Sequence, residues 1–473
     1  MASRQNSPHD PAPDDDLWES GPVYIASNKP LARLVARPVR EFLRVEAAGS
    51  ILLLLAAATA LIWANSPWAS SYDALWHAHL VIDAGPLYLD ESIQHWVNDA
   101  LMVIFFFVVG LEIKYELVNG DLRDPKTAAL PIIAAIGGMV VPAALYLALN
   151  PPGSDGNAGW GIPMATDIAF AVGVLGVLGR RIPSAARLFL LTLAIVDDIG
   201  AILVIAVFYT SDLSLTWLAI ALGLLAAMVA ARVLRVWSVV VYAILGVGVW
   251  FALLESGVHA TLAGVAIGLL APAKPLLNEE VARGYATDAL RDRHLNPDEL
   301  ARLRFLLKES VSVVERLISS LHPLSAYVVL PIFALANAGV ELGALSKVFT
   351  EPVGLGIILG LVLGKPVGIF LTSYLAVRLG VARLPEGTSW PMVMGLGAVA
   401  GIGFTVSIFI AGLSFPGAEL LTEEAKIAIL LASLFAAIVG VAVLLTATRG
   451  AAGDEDGDGD EDDVLDERKT VTP

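Results

Sequence analysis

Apolar residues run along this chain in long blocks with few interruptions, the spacing of helices that have no water-facing side. A helix crossing a ~30 Å hydrocarbon layer needs roughly 20 such residues. Blocks of about that length fall near 45–65, 93–117, 127–149, 159–179, 184–209, 215–233, 237–254, 257–272, 321–342, 353–378, 390–413 and 425–447, which predicts twelve membrane-spanning helices.

The polar positions between the blocks orient them. Arg33, Arg37, Arg40 and Arg44 precede the first block, Lys114, Arg123 and Lys126 follow the second, and Arg180, Arg181 and Arg187 follow the fourth. Arg232 and Arg235 follow the sixth, a basic run from Lys274 to Arg316 follows the eighth, and Arg378 and Arg383 follow the tenth. Only Lys347 and Lys426 fall in the opposite set of loops, so the positive-inside rule puts both termini in the cytoplasm.

Two stretches outside the blocks carry patterns of their own. Leu75 to Asp90 alternates and breaks at Asp83-Ala84-Gly85-Pro86, which predicts an external β-hairpin whose open edges suit a second copy of the chain. Asn296-Pro297-Asp298-Glu299 reads as a helix start, after which Leu300, Leu303, Leu307, Val311, Val314, Ile318 and Leu321 recur at steps of three or four. One amphipathic helix leading into the ninth span is expected within a cytoplasmic insert at about 273–320.

Composition agrees with this layout. The 473 residues are 56% hydrophobic and 16% charged, which excludes a water-soluble globule. The net charge of -16 lies mainly in the tails: residues 454–469 hold ten acids against Arg468 and Lys469, and residues 1–28 hold five against Arg4. Both ends are too poor in apolar groups to fold alone. The organisation expected is a disordered cytoplasmic tail over 1–40, a membrane domain over 41–447 and a disordered acidic cytoplasmic tail over 448–473. The absence of Cys excludes disulfides, thiolate metal sites and thiol catalysis. No cleaved signal peptide is indicated at the N-terminus. His77 and His79 could share a strand face, but no third ligand lies near them in sequence, and His259 and His322 are scattered.

Ionisable residues inside spans are costly and mark pathways. The fourth span holds Asp167, the fifth holds adjacent Asp197 and Asp198, and the tenth holds Lys365 a dozen residues from either end. Neighbours on a helix project about 100° apart, so one aspartate can line a cavity as an oxygen ligand while the other meets a cation on another helix. Such a carboxylate suits a hard monovalent cation and a proton, which compete for the same lone pairs. A static Asp197–Lys365 pair alone leaves Asp167 and Asp198 without partners. Pro163 and Thr166 around Asp167, and Gly401 and Gly403 in the eleventh span, allow broken helices whose exposed ends Asp167 and Lys365 have the right signs to neutralise. Gly356, Gly360, Gly364 and Gly368 read instead as close helix packing. The broken-helix and charge features of spans three to five and ten to twelve occur in opposite orientation, as an inverted repeat requires.

Several motifs then carry a resemblance. Ala165-Thr166-Asp167-Ile168-Ala169-Phe170, Ala194-Ile195-Val196-Asp197-Asp198-Ile199-Gly200-Ala201, Ser256-Gly257-Val258-His259-Ala260-Thr261 and Gly401-Ile402-Gly403-Phe404-Thr405-Val406-Ser407 resemble signatures of the NhaA-type sodium/proton antiporters, over about residues 40–447. Phe333-Ala334-Leu335-Ala336-Asn337-Ala338-Gly339 and Gly364-Lys365-Pro366 fit as well. The resemblance implies an all-α fold of about twelve spans with inverted repeats, two crossed broken helices and a small external hairpin. It implies sodium or lithium leaving a bacterial cell across the cytoplasmic membrane in exchange for two entering protons, for pH and sodium homeostasis. Asp198 is implied as the main sodium and proton carboxylate, with Asp197 its companion and partner of Lys365, Thr166 a helper and Asp167 a partner of the helix ends. Dimerisation through the hairpin is implied, with membrane lipid around the chain, no cofactor beyond the transported ions and no nucleic-acid partner. Glu112, Glu116 and Glu315 are candidates for pH sensing. The resemblance breaks at Ile318-Ser319, where regulated members carry a Glu-His pair.

Two other classes are weaker. An intramembrane aspartyl protease needs aspartates on separate helices, which Asp167 and Asp198 could supply, but there is no Gly-x-Gly-Asp motif and Lys365 is left without a role. A passive cation channel does not call for a titratable carboxylate at a single closed site.

Overall fold

The computed structural model describes residues 48–83, 88–210, 213–234, 238–278 and 296–455, with isolated positions at 236, 280, 283–285 and 287. The arginines at 33–44, the hairpin tip, Arg235 and both distal tails lie outside the described residues. Backbone groups in hydrocarbon must pair within their own segment, and the apolar blocks accordingly form helices. Among the described residues, seven of these are long and apolar enough to cross a membrane, or up to nine when two sharply bent pairs are each taken as one span.

The first helix, Ala48–Ala64, turns by 115° into a short second one, Ala69–Trp76. Leu75 and Trp76, expected to open the hairpin, therefore end a helix. Tyr72 explains the bend: its ring lies edge-on between Trp63 and Trp76, and its hydroxyl donates to the Leu335 carbonyl (2.8 Å) and accepts from the Gly339 N–H (3.2 Å). The strands come later, His79–Asp83 and Tyr88–Ser92, paired antiparallel with His79 opposite Ser92. His79 Nδ1 lies 2.7 Å from Asp90 Oδ1 across that ladder.

The next helix enters through Ile93–Trp96, widens into a π turn at Val97–Leu101 and continues as Met102–Val118. Two more π turns occur, at Ser325–Val329 and Gly360–Gly364, each followed by a proline at the second position of the next segment, Pro331 and Pro366. Proline has no N–H to donate, and its ring crowds the carbonyl four residues back; a wider turn accommodates both.

The expected single amphipathic helix of the insert is two helices, Pro297–Glu309 and Val313–Leu324. Each opens with a capping box, Asn296 with Glu299 and Ser312 with Glu315, so the second box starts a new helix where the hydrophobic period alone ran on. The apolar stretch continues from Val313 to Asn337, which starts the expected ninth span earlier and ends it sooner. Helix Leu262–Leu270 is shorter than its block, and the last helix, Glu419–Glu455, runs on beyond Ala447.

Glycine sets the closest helix approaches. A side chain at Gly368 would meet the Gly137 carbonyl at 2.2 Å, and one at Gly264 would meet the Val103 carbonyl at 2.3 Å. Gly360 and Gly364 lie against Pro163 and Pro142. Most of the buried core gathers around the helices thus locked, with a smaller cluster between Leu215–Val233 and Val239–Glu255 and a third where Leu111, Ala273 and Val314 meet.

Candidate functional site

Two interrupted helices cross inside the bundle. The first is a 3-10 segment, Asn157–Met164, an extended break at 165–167, and Ile168–Leu178. The second is Trp390–Ala400, a break at 401–403, and Phe404–Ser414, with 48° between its halves. At the crossing the Asp167 N–H donates to the Ile402 carbonyl at 2.7 Å, so each break satisfies a backbone group of the other. Gly401 is required there, since any side chain would strike the Leu361 carbonyl at 2.4 Å.

Four helix ends meet at this point with their dipoles unopposed, and side chains of opposite sign face them. Asp167 caps its own helix by accepting the Phe170 N–H at 3.0 Å on Oδ1. Its Oδ2 accepts the backbone N–H (3.1 Å) and hydroxyl (2.5 Å) of Thr405, in the first turn of Phe404–Ser414. One carboxylate thus serves two positive helix ends. Lys365 faces a negative end: its ammonium donates to the Met164 carbonyl, the last of segment Asn157–Met164, and to Asp197 Oδ2. The Thr166 hydroxyl lies 2.6 Å from Asp197 Oδ2 and 2.9 Å from the Ala400 carbonyl, and its single proton can serve one at a time.

Asp197 and Asp198 sit side by side on Ser184–Phe208 and have different surroundings. Asp197 and Lys365 are fully enclosed and form an ion pair. Asp198 is 5% exposed, and its Oδ1, like Asp197 Oδ1, is buried without a hydrogen-bond partner among the described residues. Its charged neighbours are Asp197, Glu112, Asp167 and Lys365. A buried carboxylate with an open oxygen is chemically fit to take a proton or a dehydrated cation, because either supplies the positive charge its surroundings lack.

The remaining candidates lie outside the two crossed helices, with Glu112 a charged neighbour of Asp198. Glu112 and Glu116 are half-buried on Met102–Val118, and the Glu116 carboxylate accepts the Asp121 N–H at 3.0 Å. Glu315 is committed to its capping box, accepting the Ser312 N–H (3.0 Å) and hydroxyl (2.7 Å). Ile318 joins the apolar cluster with Tyr115 and Val118, while Ser319 is exposed. The sequence motifs included Thr405 without assigning it a task; its place just after Gly-Ile-Gly-Phe, in the first turn of a helix, is the signal that its N–H and hydroxyl are free to donate to a carboxylate. The Met164 and Ala400 carbonyls carry no sequence signal at all.

A bundle of apolar helices with crossed interruptions and buried opposite charges defines an integral membrane protein built around a polar centre. The profile of the family described as Na+/H+ antiporter 1 matches residues 40–444, and the chain belongs to that family. It is 48% identical over 441 residues to Na(+)/H(+) antiporter NhaA 2 of Sorangium cellulosum, covering 90% of this chain and 94% of the relative. It is likewise 48% identical over 417 residues to Na(+)/H(+) antiporter NhaA of Rhodopirellula baltica (86% and 94%) and 45% identical over 439 residues to Na(+)/H(+) antiporter NhaA of Oleidesulfovibrio alaskensis (90% and 97%).

Proposed function

We propose that this chain is a secondary transporter that exchanges sodium, and lithium, for protons across the bacterial cytoplasmic membrane. Membership of the Na+/H+ antiporter 1 family supports the ions exchanged. The observation that carries the mechanism is the adjacent pair of buried aspartates, one held by Lys365 and Thr166 and the other with an open carboxylate oxygen.

In this reading Asp198 is the principal carboxylate. A sodium ion reaching it displaces one proton, and its charge loosens the Asp197–Lys365 pair. A lysine without its carboxylate in a dry site is strongly disfavoured as an ammonium, so the second proton leaves from that pair. Two protons against one sodium move one net charge per cycle, worth about 2.3 kcal/mol for each 100 mV. Thr166 assists with its hydroxyl oxygen, Asp167 holds the positive helix ends, and Gly401 and Gly403 keep the second break open.

We extend the reading to the architecture. The helices form twelve spans in two inverted repeats, with both termini cytoplasmic, and the broken segments rock to alternate access. The domain limits are 41–447 between polar tails. Two copies associate through the external hairpin, and Glu112 and Glu116, with Glu315 as a helix-capping neighbour, adjust activity to cytoplasmic pH. Uphill sodium movement driven by an imposed pH gradient in proteoliposomes tests the core of the proposal; a sodium flux that only runs downhill would replace it with a channel.

A further inference from the structure

We infer that the rings of Phe106, Phe333 and Phe409 form the external gate of the ion path, a seal that must part each time the site faces outward. This rests on the alternating-access reading above and adds to it the place where the outer barrier lies.

Glycine lets backbones touch within two groups. One comprises the helices of the crossing, where Gly137 meets Gly368, Gly364 meets Pro142 and Gly440 meets Val399. The other comprises Met102–Val118 and Leu262–Leu270, where Gly264 meets Val103 and Gly268 meets Gly110. Helix Leu330–Asn337 is tied to this second group by polar contacts: Asn337 Nδ2 donates to Asn98 Oδ1 at 2.8 Å, and Gln94 Nε2 donates to the Ala336 carbonyl at 2.9 Å. Where the groups face each other near Phe409, the contact is made by side chains. Phe409 of the crossing lies 5.3 Å from the Phe106 ring and 6.4 Å from the Phe333 ring, centroid to centroid, both tilted. Contacts of this kind can separate without breaking a backbone hydrogen bond, the property required of an interface between moving bodies.

Directly against the Phe333 and Phe409 rings is a cavity of about 230 Å³. Phe333, Ile408 and Phe409 form its apolar wall, and Gln94, Asn98 and Lys426 contribute polar groups. Gln94 follows the hairpin strand Tyr88–Ser92 by two residues, so the cavity lies at the hairpin end of the bundle, opposite the end that carries Lys114, Arg123 and Lys126. A polar recess thus stops at an aromatic layer. A cation cannot cross such a layer without losing its hydration and finding no replacement ligands, so passage requires the rings to move apart.

The chain contains no cysteine, which makes a direct test available. Phe333→Cys and Phe409→Cys are introduced together, and the protein in proteoliposomes is treated with a short bifunctional methanethiosulfonate that dithiothreitol removes. The gate predicts that cross-linking abolishes whatever pH-driven sodium uptake the untreated double variant shows and that reduction restores it, while each single variant keeps after treatment the uptake it had before. Wild-type uptake in a fully cross-linked pair, or equal loss in either treated single variant, would overturn it. Should the untreated double variant be inactive, the pair Asn98→Cys and Leu413→Cys across the cavity decides by the same criteria. An untreated wild-type chain without exchange would instead refute the antiport reading, so the two failures are distinguishable.

Discussion

The helices of the crossing and the pair Leu215–Val233 and Val239–Glu255 are equally apolar in sequence and differently used. Over an 18-residue stretch of Ser184–Phe208, and over one of Pro352–Arg378, 61% of residues are buried inside the protein; over such a stretch of Leu215–Val233 the share is 11%. The first group has buried charges and glycines that admit a neighbouring backbone. The second exposes Leu222, Val240, Ile244 and Val247, and a side chain at Gly223 would meet nothing. Hydrophobicity therefore locates a span, whereas its small and charged residues tell whether it faces protein or lipid.

Substitutions sharpen the contrast. Gly368→Leu carries the largest expected effect: its Cβ would lie 2.2 Å from a backbone carbonyl that cannot yield, and overpacking of this severity costs at least about 3 kcal/mol. Size-exclusion chromatography in detergent should show little monodisperse protein. Lys365→Ala follows, since it strands Asp197 in a fully buried place, at a cost of about 3 kcal/mol. Its melting temperature should drop, and residual exchange should carry less net charge per sodium on a solid-supported membrane. Thr405→Val keeps the backbone donor to Asp167 but removes the hydroxyl, costing roughly 1–3 kcal/mol in thermal unfolding. Leu222→Ala, on the outer pair, should change stability by no more than about 0.5 kcal/mol. A large effect there would mean that this face is covered by protein.

The same contrast explains how much the sequence disclosed. Asp167, Asp197, Asp198 and Lys365 stood out because a charge inside an apolar block is costly wherever it points. The breaks at 165–167 and 401–403 were legible from Pro163, Gly401 and Gly403. What the charges touch was less so: the Met164 and Ala400 carbonyls belong to the backbone, whose exposure depends on where a helix stops. The two helices of the insert look like one in sequence for a different reason. Its hydrophobic period passes through Ser310–Ser312, and only the Ser312–Glu315 capping box reveals the second start. Alternation places Leu75 and Trp76 in a strand, while Tyr72, by binding Leu335 and Gly339 far along the chain, holds them in a helix. Contacts at that sequence distance leave no local pattern.

Asp198→Asn tests the central claim most directly. The amide is close in size to the carboxyl group but neither ionises nor exchanges a proton for sodium. The variant should purify as a folded protein with a wild-type elution profile and show no sodium uptake in proteoliposomes under an imposed pH gradient. Near wild-type uptake by that protein would remove Asp198 from the mechanism, and with it the exchange of sodium and proton at one buried carboxylate.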